Sequence, residues 1–226
     1  MDDTLPVPRV GAVIRARSTI KVMSDEPLPT LDIRGILEDL IATAGWAPFH
    51  RPCDPVHQVT GGLTGIEPWR MHALDAAACR QLRLRLPHEN AGKLPALLAA
   101  ADALIQVTWL PNPSSTISAD PLLPVQPFEP SLENMEHIAA TAAAIQNLLL
   151  AATAQGFHSY WSSGGGLLRT QEVFEWLGIP QSEILLGAIF LFGKVDSDPA
   201  VNAIQVGSKL RARRTRPENW MRWVSL

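Results

Sequence analysis

The sequence predicts an α+β fold, and three observations support this class. The segment 138–154 has helical apolar spacing and so much alanine that nearly every side is apolar, which is typical of a helix buried all round. The segment 184–192, ILLGAIFLF, is apolar without interruption, as in a central strand covered on both faces. Further helical and strand-like segments are mixed along the chain, and no internal repeat is present.

Length and composition indicate one domain that comprises residues 1–226. The chain is 46% hydrophobic and 18% charged, and its formal net charge of −3 gives no general electrostatic case for nucleic-acid binding. Its two cysteines, Cys53 and Cys79, form neither a disulfide framework nor a zinc motif, which fits a reducing compartment. The first ten residues lack the apolar core of a secretory signal. We therefore expect a soluble, cytoplasmic protein.

The apolar periodicity and the turn residues define the predicted elements. In chain order these are a helix over 31–44, a short strand over 70–74, a charged surface helix over 75–85, a strand over 102–109, the long helix, a short helix over 170–177 and the strand over 184–192. Thr30 and Asp32 are possible caps of the first helix. Gly156 and Gly178 suit the left-handed positions that end the long helix and the helix over 170–177. The proline-rich segment 110–132 is too long for a simple connection, so we interpret it as a lid or binding loop.

Two basic segments could hold a phosphate. Arg15, Arg17 and Lys21 lie within one short stretch together with Ser18, and guanidinium and hydroxyl groups are suitable donors to phosphate. Alone, such a basic turn is usually just solvated. The second segment, near the C-terminal end, contributes the cations Lys209, Arg211, Arg213, Arg214 and Arg216. One phosphate cannot engage all of them, so most are expected to be solvated or paired with acidic groups.

Two other segments could hold a flat polar ligand. Trp161, Ser162, Ser163 and Gly164, followed by two more glycines, offer N–H and hydroxyl groups with little bulk, so a ligand could approach the main chain. The alternative is a surface turn after a core tryptophan. The segment 46–50, WAPFH, follows the first helix and brings Trp46 and His50. His50 could equally be a loop histidine that bonds to the backbone.

Together these motifs resemble the nitroreductase family. The segment 161–164 matches the family's Trp-(Arg/Ser)-Ser-Gly motif after the long helix, which is the most specific match. Arg17, Ser18 and Lys21 match its basic N-terminal motif, although Ala16 stands at the first basic position, which Arg15 could replace from one residue upstream.

The segment 46–50 resembles the family's Ala-Pro-Asp-His segment, which reaches the flavin of the partner subunit. Glu67-Pro68-Trp69 resembles a Gln-Pro-Trp motif that the family has a few residues later. Here it comes only after an extra stretch, 51–66, which we interpret as an insertion. The asparagine that many relatives place near the flavin ring is absent from this region.

The resemblance covers roughly 13–214 apart from the insertion. It implies a central, mainly antiparallel sheet flanked by helices, and an intertwined homodimer with shared FMN sites. It also implies that NAD(P)H reduces the FMN, which then reduces a small electron-poor acceptor of the nitroaromatic, quinone or enone type. The residues expected at the FMN are Arg15, Arg17, Ser18, Lys21, Trp46, His50, Trp161, Ser162, Ser163, Gly164, Lys209 and Arg211. No catalytic side chain and no metal are expected, because the flavin carries the chemistry.

Two alternatives remain at the level of sequence. One is a flavin-binding or flavin-modifying protein on the same scaffold that does not turn over NAD(P)H, which the insertion and the missing asparagine would explain. The other is a non-enzymatic dimeric interaction module with a basic tail.

Overall fold

A computed structural model describes residues 7–29, 32–59, 62–87, 91–112, 128–193, 204–207 and 210–224. In chain order its helices and strands are α1 Val7–Ala16, β1 Ile20–Met23, α2 Arg34–Ala44, β2 Trp69–Asp75, α3 Ala76–Arg85, α4 Leu94–Ala100, β3 Ala103–Trp109, α5 Leu132–Ala154, β4 His158–Ser162, α6 Gln171–Leu177, β5 Ile184–Phe192 and β6 Ile204–Gly207. Short 3₁₀ helices cover Pro55–Gln58, Leu167–Arg169, Arg211–Arg213 and Pro217–Asn219.

A four-stranded sheet in the order β2-β3-β5-β4 forms the centre, and each neighbouring pair is antiparallel. The predicted α+β class with a mainly antiparallel sheet is therefore confirmed. A second, two-stranded sheet joins β1 to β6. A single parallel bridge between Thr19 and Ser159 sets β1 beside β4, at the outer edge of the larger sheet.

The sheet separates two apolar cores. Ile105 and Ile189 point from one face into a cluster with α2 and α5, whereas Leu104 and Phe190 point from the other face into a cluster with α3, α4 and α6. Strand β5 is buried between the two cores, as its uninterrupted apolar sequence predicts.

Helix α5 is the longest element, with 23 residues. The Ser131 hydroxyl accepts a hydrogen bond from the Asn134 N–H at 3.2 Å and caps its start, and Gly156 adopts a φ of 85° just beyond its end. Its length and composition would allow a membrane span, but this chain packs 44% of the most apolar window inside the fold. One face is buried against the sheet, whereas Met135 and Ala139 are exposed. The expectation of burial all round is therefore wrong for the single chain.

Several elements differ from the sequence-based expectations. The first predicted helix begins at Arg34, and the Asp32 carboxylate accepts a hydrogen bond from the Arg34 N–H at 3.1 Å. Thr30 lies outside the described residues, as do residues 113–127 of the predicted lid. Elements α1, α4, β1, β4 and β6 were not expected, and the predicted turn at 161–164 begins only after Ser162, because Trp161 and Ser162 end strand β4.

Candidate functional site

The two predicted phosphate-binding segments meet in the structure. The Arg211 guanidinium donates to the backbone carbonyl of Arg17 at 2.6 Å and also to that of Arg15, so the C-terminal segment lies against the end of α1. Burial, and then the positive charges of Arg214 and Arg211, lower the pKa of Arg17. None of the ion pairs among the described residues includes any of these four arginines. The result is a concentration of positive charge that an anion would relieve.

The remaining basic residues have different surroundings. The Lys21 ammonium lies 4.3 Å from the centroid of the Tyr160 ring, in a cation–π contact. Because Tyr160 and Trp161 are consecutive in a strand, their side chains point to opposite faces of the sheet, so Lys21 is on the face opposite Trp161. Ser18 is half-buried between α1 and β1. Lys209 lies outside the described residues.

The turn after β4 is narrow and built around glycine. Gly164 has a φ of 89°, and a Cβ placed there would lie 2.6 Å from the Leu185 Cδ2 atom. The Gly164 N–H donates to the Ser162 hydroxyl at 3.2 Å. The Arg169 guanidinium donates to the carbonyls of Ser163, at 2.9 Å, and of Leu185, at 2.6 Å, which fixes the turn to the start of β5. Burial lowers the pKa of Arg169.

The Trp161 side chain lies flat against β5 at Gly187. A Cβ at Gly187 would overlap the indole nitrogen of Trp161, so only glycine permits this position. The indole is still partly exposed, at 36%. Together the indole and the turn, in which Ser163 is exposed and Gly164 is buried, form a ledge with one aromatic face, which suits a flat polar ring.

Trp46 and His50 lie at the other edge of the sheet. Phe49 contacts Trp69 at the start of β2, with ring centroids 5.6 Å apart in an edge-to-face arrangement, and Trp46 is 87% exposed. Strands β2 and β4 are separated by three inter-strand spacings, about 14 Å. Within one chain the structure therefore does not bring His50 and Trp46 to the ledge beside Trp161.

Two residues of this region, Gly187 and Arg169, were not identified from the sequence. A third, Arg214, was named only as one of five cations of which most were expected to be solvated or paired, yet it belongs to the arginine cluster. Gly187 supports Trp161, and its signal was available, since an isolated glycine within a strand often marks a close approach. Arg169 has no sequence signal, because its role depends on how the turn folds back onto β5.

The sequence and the fold were compared with those of known protein families and solved structures. The sequence profile of the Nitroreductase family matches residues 14–194. The fold is similar to that of a nitroreductase-like family protein from Bacillus cereus, with a TM-score of 0.61, 20% identity and 95% of both chains covered.

Two further solved structures share the fold. One is an oxidoreductase containing FMN, with a TM-score of 0.51, 20% identity and coverage of 82% of this chain and 77% of that chain. The other is CLA-ER, an enone reductase of a gut-bacterial fatty acid saturation metabolism. Its TM-score is 0.58 at 13% identity, and the match covers 96% of this chain and 98% of that chain. No curated protein matches the chain. Since the profile spans most of the sequence, the chain belongs to the nitroreductase family.

Proposed function

We propose that this protein is an FMN-dependent oxidoreductase that uses NAD(P)H to reduce a small electron-poor acceptor of the nitroaromatic, quinone or enone type. The observation that carries the proposal is the convergence of Arg17, Arg211 and Arg214 at the edge of the sheet that also carries β4. A cluster of guanidinium groups without a carboxylate partner among the described residues suits the terminal phosphate of FMN.

The chain's own residues would bind and orient the cofactor. The arginine cluster, together with Arg15, Ser18, Lys21 and Lys209 as the sequence predicts, would hold the phosphate end. Trp161 and the turn 162–164 would face the ring. Because the Gly164 N–H already donates to Ser162, we assign the Ser163 N–H as the donor to the ring. Donors fixed there stabilise negative charge that develops on reduction. When bound, FMN supplies the hydride-transfer chemistry.

The proposed site requires a second copy of the chain. Trp46 and His50 are expected at the flavin, yet they lie at the β2 edge of the sheet, opposite the ledge at β4. A homodimer in which each chain presents its 46–50 segment to the ring held by the other would complete the site. The exposed apolar side chains on α5 fit such an interface. The two buried free cysteines fit the cytoplasm, which we propose as the location.

The test uses the purified full-length protein. We expect it to be yellow, or to become so when FMN is added, and to bind FMN more tightly than riboflavin, which has the same ring without the phosphate. Under anaerobic conditions NADH or NADPH should bleach the flavin absorbance, and addition of a quinone, an enone or a nitroaromatic compound should restore it.

The alternatives give different results. A yellow protein that neither nicotinamide cofactor bleaches would favour a flavin-binding or flavin-modifying role on the same scaffold. A colourless protein that does not bind added FMN would favour the dimeric interaction module and contradict the proposal.

A further inference from the structure

The segment 51–66, which has no counterpart in the family motifs, is organised around the buried guanidinium of Arg70. Arg70 is only 5% exposed. Its guanidinium donates to the backbone carbonyls of five residues, at 2.8 to 3.4 Å: His57, Leu63, Gly65, Glu67 and Trp69. The Cys53 N–H also donates to the Ile66 carbonyl at 2.9 Å, so the two ends of the segment lie together. In the described part of the loop, these hydrogen bonds hold the backbone at His57, Leu63 and Gly65 around one guanidinium.

The loop is also attached to its surroundings. The Asp54 N–H donates to the side-chain amide oxygen of Asn112 at 2.8 Å, and the His57 ring nitrogen Nε2 donates to the Pro111 carbonyl at 2.9 Å. Arg51 forms an ion pair with Glu136 of α5 at 3.2 Å. These contacts hold the loop against the end of β3 and the first turns of α5.

Helix α5 relates the loop to the segment 46–50. Ala47 packs against Ala140 of α5, and Arg51 reaches Glu136, one helical turn earlier. Four residues of an α-helix correspond to a rise of about 6 Å. The loop therefore lies immediately beside the segment that carries Trp46 and His50.

The described part of the loop exposes large apolar side chains, although its backbone is held by hydrogen bonds to Arg70. Val59 is 82% exposed, and Leu63 and Ile66 are 43% and 50% exposed. Solvated loops normally carry polar side chains at such positions. Exposed apolar side chains on a loop whose described backbone is held by Arg70, and which follows the proposed flavin contact in the chain, suit contact with a hydrocarbon group.

We infer that Val59, Leu63 and Ile66 form one wall of the acceptor pocket and select acceptors that carry an alkyl group, and that Arg70 is the positioning residue that holds this wall. The inference rests on the proposed function, because the segment 46–50 must face the flavin of a second copy. It narrows the acceptors of the proposed function to those with an apolar substituent.

The experiment compares the double variant Val59→Ser/Ile66→Ser with the unmodified enzyme. The matched control is Leu84→Ser, since Leu84 is 80% exposed on α3, which packs on the opposite face of the sheet. The acceptors are 1,4-benzoquinones that differ only in the length of one alkyl chain. We expect the KM of the long-chain quinone to rise about tenfold in the double variant, from the loss of apolar contact. The KM of unsubstituted benzoquinone, the rate of flavin reduction by NAD(P)H and the control should not change.

Other outcomes would overturn the inference. KM values in the double variant that equal those of the unmodified enzyme for every quinone of the series would show that the loop does not touch the acceptor. If the dimer of the double variant dissociates at protein concentrations at which the unmodified dimer is stable, while the KM values are unchanged, the loop is a subunit contact instead. If the unmodified protein binds FMN and is reduced but ignores alkyl length, this inference fails while the proposed function stands.

Arg70→Lys tests the positioning role separately. A lysine ammonium cannot reach five carbonyls as a planar guanidinium does, so the loop should loosen. We expect faster cleavage within 51–66 by a protease, at unchanged FMN content, together with loss of the preference for long alkyl chains. Retention of that preference in an Arg70→Lys enzyme with a loosened loop would contradict the assignment of Arg70.

Discussion

Individual charged residues in this chain are held in unusual surroundings for different reasons. Arg17 is partly buried next to two other guanidinium groups, and both effects lower its pKa. Arg70 is buried as well, but backbone carbonyls accept hydrogen bonds from both of its terminal guanidinium nitrogens. The Arg70 arrangement is complete within the protein, whereas the Arg17 cluster has repulsion that a bound anion would remove. Because of this contrast, we assign an anionic ligand to the Arg17 cluster and a structural role to Arg70.

Arg17→Ala should weaken FMN binding by roughly ten- to a hundredfold, because a hydrogen bond to a charged group contributes about 1.5–3 kcal/mol. Fluorescence titration of the apoprotein with each flavin would measure the dissociation constants. Riboflavin binding should change little, since riboflavin lacks the phosphate. Arg216→Ala is the matched control, because Arg216 is an exposed arginine of the same basic segment. Equal loss of FMN and riboflavin affinity would show that Arg17 does not contact the phosphate.

Asp102 gives a prediction about pH and stability. Burial raises the pKa of this carboxyl group and outweighs two effects that favour the charged form, the hydrogen bond that it accepts from the Gly193 N–H at 2.6 Å and the positive charge of Arg80. A carboxyl group with a raised pKa binds its proton more tightly in the folded state, so folding loses stability as pH rises from about 3.9 through the raised value.

Asp102→Asn removes this titration and keeps an acceptor oxygen for Gly193. We expect the variant to unfold at a higher temperature than the parent at pH 7, and the difference to shrink as the pH is lowered towards 4. Differential scanning calorimetry across this range is the measurement. A difference that instead grows at low pH would have the wrong sign and contradict the raised pKa.

At the scale of elements, the pair β4 and β5 builds the ledge that we propose faces the flavin ring. Gly187→Ala should displace the Trp161 indole, because the added methyl would occupy its position. The sheet itself should persist, since alanine is compatible with a strand. We expect a folded protein with altered tryptophan fluorescence and weaker binding of both FMN and riboflavin. Gly207→Ala, at a strand glycine with open space around it, serves as the control. Unchanged riboflavin affinity in the Gly187→Ala variant would show that Trp161 does not contact the flavin ring.

The predicted elements that match the structure are those with strong local signals. Helix α6 is capped at its start by Thr170, whose hydroxyl accepts a hydrogen bond from the Val173 N–H, and at its end by Gly178 with a φ of 66°, so local sequence marks both boundaries. Strand β5 has nine residues of continuous apolar character. The missed elements lack such signals: β1 and β6 have four residues each and exist only because segments about 180 residues apart pair with each other.

The candidate site was predictable in part for the same reason. The motif at 161–164 is contiguous, so the sequence shows it directly. The contact of Arg211 with the carbonyls of Arg15 and Arg17 joins residues that are far apart in the chain, and no local pattern encodes it. Likewise, the sequence alone placed His50 near the flavin only through the resemblance to the family. Its position at the β2 edge required the strand order.

At the scale of the whole molecule, the single chain leaves apolar surface uncovered in two places. Leu132 and Met135 on α5 are 61% and 60% exposed, and Ala139 on the same helix is exposed as well. Beyond Leu210, the tail is exposed throughout its described part, including Trp220 and Trp223. Soluble monomers rarely expose such contiguous apolar patches. The separation of the candidate site between two edges of the sheet fits the proposed dimer as well.

The dimer can be tested with a charge on the exposed face of α5. Ala144 is not a suitable position, because it is fully buried within its own chain and a charge there would disrupt the core. Ala139→Glu is suitable, since Ala139 is exposed and a folded monomer would tolerate the change. Leu84→Glu is the control, because Leu84 is exposed on the other side of the sheet. By sedimentation, Ala139→Glu should shift the protein towards monomer and release FMN in parallel, because half of each site would be lost. An unmodified protein that sediments as a folded monomer with bound FMN would contradict both the dimer and the shared site.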